Sequence, residues 1–90
     1  MRSTTHGEIH TARGDALGAP DLEAVLALRT AVFVVEQECP YQEVDGRDTD
    51  PGTWHAWIGE RPALLAYLRV LTEPDGGRRI GRVCTAAAGR

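Results

Sequence analysis

From Pro20 onward, apolar residues recur three and four positions apart. Leu22, Val25, Leu26, Val32 and Phe33 form one stripe, the period of a helix with a single buried face. Pro20 suits a first helical position, and Asp21 and Glu23 fall where the helix dipole favours acids. Cys39-Pro40 ends any helix, because the residue before a proline is pushed out of the α region. The period then changes to two. Thr53, His55 and Trp57 alternate with Trp54, Ala56 and Ile58. "ALLAYLRVL", from Ala63 to Leu71, is apolar on both faces, as expected of a central strand covered on both sides. "GERP" and "TEPDGG" supply the tight turns on either side of it.

A third strand from Arg78 to Thr85 sets Ile80, Arg82 and Cys84 opposite Gly81, Val83 and Thr85. Its internal glycine points to a close approach by something else. Ahead of the helix, Glu8 to Arg13 reads as a short strand with Ile9 and Thr11 on one face, followed by the turn residues "GDALGAP". Residues 1–7 are polar and aperiodic, and read as a loose N-terminus. The order strand, helix, irregular loop and three strands predicts an α+β domain with an antiparallel sheet. There are no internal repeats or linkers.

Polar residues complicate this pattern at three places. Arg29 falls inside the apolar stripe, and Glu36 continues the same face if the helix persists that far. Two readings stand: Arg29 snorkels at the edge of the core, or it forms a buried pair with Glu36 that anchors helix to loop or faces a pocket. Between Glu36 and Asp50 lie Glu36, Glu38, Glu43, Asp45, Asp48 and Asp50, against Arg47 alone. Such a run reads first as a solvated loop, and "DGRDTD" lacks the spacing of a calcium loop. His55, between two tryptophans, is either a packed histidine or a functional one. Tyr41 packs or faces a ligand. The tryptophans read as core rather than as a stacking platform for bases, and Cys84 as a small buried strand residue.

Bulk composition narrows the function. The ninety residues make one domain, with a net charge of -3 that argues against nucleic acid as the main partner. All ten basic residues are arginine. Apolar runs are too short for a membrane span or a signal-peptide core, and two distant cysteines suit reduced thiols. These features lead to the expectation of a soluble, cytoplasmic protein. No zinc spacing, Ser-His-Asp signature or Walker loop is visible, so no metal is expected. "EPDGGRRI" is flanked by strands where a phosphate cradle would need a helix N-terminus.

"LRTAVFVVEQECPYQEVDGRD", a histidine in the next strand, "LLAYLRVL" and "RIGRVCT" together resemble the ElaA-like branch of the GNAT superfamily of acetyl-CoA-dependent N-acetyltransferases. The likeness runs from Leu22 to Arg90 and is weakest at "TAAAG". It implies a mixed, mainly antiparallel sheet in which the strand Val83 to Thr85 presents backbone groups to the acyl donor. In the family a loop of the form [QR]-x-x-G-x-[GA] then holds the cofactor pyrophosphate. Arg90 stands where that loop begins, so residues 1–90 correspond to the N-terminal part of a GNAT domain, expected to be inactive alone.

The resemblance further implies cofactor contacts at Val83, Cys84, Thr85 and Arg90. Arg29, Phe33, Glu36, Tyr41, Asp45 and His55 match positions on the acceptor side. An acidic entrance would suit a cationic small-molecule or peptide amine, with Glu36 and His55 as candidate proton acceptors. Arg79 and Arg82 stand where many GNAT enzymes place a glutamate, so a base on that strand is not supported. The alternative is a non-catalytic half-domain that pairs through an exposed strand edge.

Overall fold

The computed structural model describes residues 8–38 and 43–89. The loose N-terminus expected for residues 1–7, and the expectations placed on Cys39, Tyr41 and Arg90, lie outside them. Four strands form one antiparallel sheet in the order of the chain: β1 (Ile9–Arg13), β2 (Trp54–Glu60), β3 (Ala63–Thr72) and β4 (Arg78–Thr85). One α-helix among the described residues, α1 (Ala19–Arg29), crosses one face and packs mainly on β3. It starts after an extended Gly18, with Pro20 and Asp21 in its first turn and Arg29 in its last, as the dipole favours.

Helical winding then widens. Thr30–Glu36 forms a π-helical stretch, closed by the Gln37 N–H donating to the Val32 carbonyl at 2.9 Å. In a continued α-helix, seven residues return the chain to within about 20° of the same face. The wider turns lag behind that, so Arg29 points inward while Glu36 comes out exposed. The expected Arg29–Glu36 pair is therefore not formed. Snorkelling is also excluded, because Arg29 is 0% exposed.

Val25, Leu28 and Val32 from the helical segment meet Trp57, Leu64 and Tyr67 from the sheet to make the core. Full burial of a side chain such as Val25 contributes about 1.5–3 kcal/mol. Strand β2 alternates as its sequence predicts, with His55 and Trp57 inward. Trp54 is the exception to the reading of both tryptophans as core, since it faces outward and is 41% exposed.

Two corrections concern the sheet. The helix covers only one face of β3. On the other side Ile9, Ala56, Ile58, Ala66, Leu68 and Val83 line a shallow apolar hollow, and no described element packs on it. Second, β4 does not alternate throughout. Gly81 pairs with Arg69 and Cys84 with Tyr67, so Arg82 and Val83 together stand opposite Leu68. This two-against-one bulge, with Arg82 at φ +53°, reverses the parity of the strand. Cys84 consequently shares the inner face with Gly81, while Ile80 and Val83 are exposed outside. Among the described residues, no helix is long and apolar enough to cross a membrane.

Candidate functional site

Where α1 ends, the loop following it folds back over the inner face of β3 and β4. Part of the acid run expected to be solvated is drawn in here: Glu43 and Asp48 are buried, whereas Glu36, Glu38, Asp45 and Asp50 are exposed. Arg29 donates to Asp48 Oδ1 at 2.6 Å, to Glu43 Oε2 at 2.8 Å and to the Glu43 carbonyl at 2.9 Å. Arg69, inward from the middle of β3, donates to Asp48 Oδ1 at 3.0 Å and to both carboxylate oxygens of Asp45. Arg82, turned by the bulge, donates from Nε to Glu43 Oε2 at 2.8 Å. Three arginines from three elements thus interlock with three acids of one loop.

The charges of this cluster are stabilised mutually. Burial works to lower the affinity of Arg29 for its proton, but the bonds to Glu43 and Asp48 outweigh it and hold the guanidinium charged. The Arg69 hydrogen bond holds the Asp45 carboxyl well below the usual carboxylate range, against a smaller opposing effect of burial. Arg29 also lies over the Tyr67 ring, 5.7 Å from its centroid. Arg29 Nε and Asp48 Oδ2 find no hydrogen-bond partner among the described residues, which reduces the net worth of the network.

His55 sits beneath the cluster at 0% exposure. Its Nε2 lies 2.8 Å from the Asp48 carbonyl oxygen, and its Nδ1 lies 2.6 Å from the Tyr67 hydroxyl. A carbonyl only accepts, so Nε2 carries the proton and Nδ1 accepts from the tyrosine. Burial pushes the His55 pKa below its ordinary value, with Arg29 and Arg69 acting in the same direction. Burial likewise pushes the Tyr67 hydroxyl up. With both nitrogens bonded, this neutral ring holds the loop at Asp48 in place. Gly14 clamps the same loop from the other side: its N–H donates to Thr53 O at 2.8 Å, and a Cβ there would collide with the carbonyl oxygens of Asp48 and Asp50.

Of the residues singled out in the sequence, Arg29, Asp45 and His55 come together in this cluster. Phe33 is half-buried against the core, and Glu36 is exposed at the end of the π-helical stretch. Val83 is exposed on the outer face of β4, Cys84 is buried without a disulfide, and Thr85 is half-buried. Glu43, Asp48, Tyr67 and Arg69 were not singled out. For Arg69 a signal exists, a charge at an inward position of an otherwise apolar strand. For the other three, nothing local distinguishes them. No group of three or more His, Cys, Asp or Glu among the described residues could hold a metal.

Beside the cluster, a hollow of about 320 Å³ opens between the loop and the ends of β3 and β4, floored by Gly81 and walled by arginines.

No family model matches the chain. Individual proteins do. A UPF0039 protein of Mycobacterium tuberculosis (strain ATCC 25618 / H37Rv) is 49% identical over 74 residues, covering 77% of this chain and 47% of that protein. Protein ElaA of Escherichia coli (strain K12) is 43% identical over 74 residues, covering 80% and 48%. Among solved structures, an acyl-CoA N-acyltransferase from Pseudomonas aeruginosa superposes with a TM-score of 0.85 at 45% identity, covering 92% of this chain and 58% of that one. Escherichia coli ElaA gives 0.83 at 40%, covering 92% and 57%. The chain spans about half the length of the curated relatives it matches.

Proposed function

This chain belongs to the ElaA-like branch of the GNAT superfamily, and from that premise we propose that it forms the N-terminal part of an acyl-CoA-dependent N-acyltransferase acting on an amine. The observation that carries the reading is the likeness to the Pseudomonas acyl-CoA N-acyltransferase, which extends over 92% of this chain. Acetyl-CoA is the proposed donor. It would supply an acyl group already activated as a thioester.

The β4 bulge fits such a donor. A bulge takes backbone N–H and C=O groups out of the regular ladder, and here it does so at Arg82 and Val83, beside an exposed outer surface. Val83, Cys84 and Thr85 are the residues proposed to hold the donor, with their backbone groups aimed at the thioester oxygen. The acidic loop and the end of the helix form the acceptor side, where holding the amine close replaces a bimolecular encounter. Glu36, exposed at the end of the π-helical stretch, is the proposed proton acceptor. His55 serves as framework, since taking a proton at Nδ1 would disrupt its hydrogen bond from Tyr67.

Pairing through the β4 edge is less well supported. That edge carries Arg78, Arg79 and Arg82 and a bulge, features that discourage strand addition. The deciding experiment joins residues 1–90 to the remaining part of the Pseudomonas acyltransferase and assays acetyl transfer to a panel of amines. Transfer that requires both parts is the expected result. A folded chimera that neither binds acetyl-CoA nor acetylates any amine would sink the proposal.

A further inference from the structure

The hollow over Gly81 is basic, although the loop beside it is the most acidic stretch of the chain. Arg47, Arg69, Arg79 and Arg82 line it, against Asp45 as the one lining carboxylate. Glu43, Asp48 and Glu73 bond these arginines from outside the hollow, and Arg29 shares Glu43 and Asp48. Among the described residues the assembly therefore holds five guanidiniums and four carboxylates. Three of the six acids that the sequence offered for attracting a cation, Glu43, Asp45 and Asp48, are engaged by arginines, and the balance at the hollow is positive.

Two of these arginines keep donor capacity for a ligand. Arg47 donates from one Nη to Glu73 and to the Thr72 carbonyl, both at 3.3 Å, and Arg79 pairs with Glu73 at 3.5 Å, all long for charge-assisted bonds, and the Arg79 side chain is 64% exposed. Each guanidinium has five N–H donors in a planar fork that matches an oxyanion. Gly81 supplies the room. It sits on the inner face opposite Arg69, with no left-handed backbone to require a glycine, and a Cβ there would meet nothing within 4 Å. The close approach expected at this glycine is made by no atom of the described residues. A volume of about 320 Å³ is at the small end of ligand pockets.

We propose that this hollow binds the oxyanion of a small ligand, and that the acceptor of the acyl group is an amine that also bears a carboxylate or a phosphate. The second clause rests on the acyltransferase reading. Arg82 both lines the hollow and forms the bulge beside Val83, so a ligand a few atoms long, anchored at Arg47 and Arg79, extends towards the proposed acyl-donor strand.

Amide proton–nitrogen correlation spectra of the ninety-residue chain, titrated with β-alanine, inorganic phosphate or propylamine, test the site. The expected result is saturable shifts at Gly81, Arg82 and Leu71 with β-alanine or phosphate and none with propylamine, a chain of similar length without the carboxylate. Which anion saturates distinguishes a carboxylate-bearing from a phosphate-bearing ligand.

Gly81→Val puts a branched side chain on the floor of the hollow without changing charge and weakens the binding that the shifts report. Arg79→Ala, at an exposed side chain, weakens binding about tenfold and keeps the test decisive if the valine variant does not fold. No saturable shift with either anion, equal shifts with propylamine, or binding unchanged in either folded variant overturns the proposal. Because no acyl donor is present, the result is independent of the chimera assay. Anion binding without transfer removes the acyltransferase reading and the acceptor assignment that rests on it but keeps the site, and transfer without anion binding removes the site and that assignment but keeps the acyltransferase reading.

Discussion

Replacing Arg29 with methionine removes the most deeply buried charge among the described residues while nearly conserving its volume. The guanidinium is 0% exposed and holds Asp48 Oδ1, Glu43 Oε2 and the Glu43 carbonyl at 2.6–2.9 Å. Breaking a buried pair from one side costs about 3–5 kcal/mol, chiefly because the other charge is left uncompensated. Here both acids retain a second arginine, Asp48 through Arg69 at 3.0 Å and Glu43 through Arg82 at 2.8 Å. The lower end, about 3 kcal/mol, therefore applies.

Against a total of roughly 5–10 kcal/mol for a domain of this size, that is a large fraction. In urea unfolding followed by the fluorescence of buried Trp57, the midpoint should fall by roughly 2–3 M. Arg29→Met/Glu43→Gln restores the balance of charge in the cluster and should recover part of the loss. A single variant whose midpoint lies within about 0.5 M of the parent would refute the reasoning. A double variant no more stable than the single would place the cost in packing, not in uncompensated charge.

Two further outcomes follow from the supports of the acid loop. The folded His55 ring has a pKa below its ordinary 6.5, so the unfolded state binds the extra proton first and stability falls as pH drops below 6.5. For one proton the slope is at most about 1.4 kcal/mol per pH unit, and comparing His55→Gln with the parent below pH 6.5 isolates it; equal slopes would remove the argument. Gly14→Ala drives a Cβ into the carbonyls of Asp48 and Asp50 and should cost about 1–3 kcal/mol. Thermal unfolding reads this as a lowered midpoint, by about 4–8 °C per kcal/mol, and an unchanged midpoint would mean the loop moves aside freely.

The acid run shows how one-dimensional charge patterns mislead. Along the chain, six carboxylates face one arginine, and an acidic entrance for a cationic amine is the natural reading. In space, Arg29, Arg69 and Arg82 arrive from the helix and two strands and engage Glu43, Asp45 and Asp48. The loop becomes a latch that closes the end of the sheet. Its electrostatic contribution to the neighbouring hollow is largely cancelled.

Secondary structure was legible in the sequence because it rests on local periods: three and four for α1, two for β2, and turn residues between the strands. The family was legible too, since its motif block is a contiguous string. Three things were decided only by the tertiary structure. The π-helical stretch moved Glu36 off the face of Arg29, and the bulge at Arg82 reversed the parity of β4. The partners of the charges were settled across separations of 14 to 39 residues. Periodicity reports steric preferences between near neighbours, whereas burial and Coulomb pairing depend on distance in space. Only when the loop folds over β3 and β4 does an acidic sequence become the border of a basic hollow.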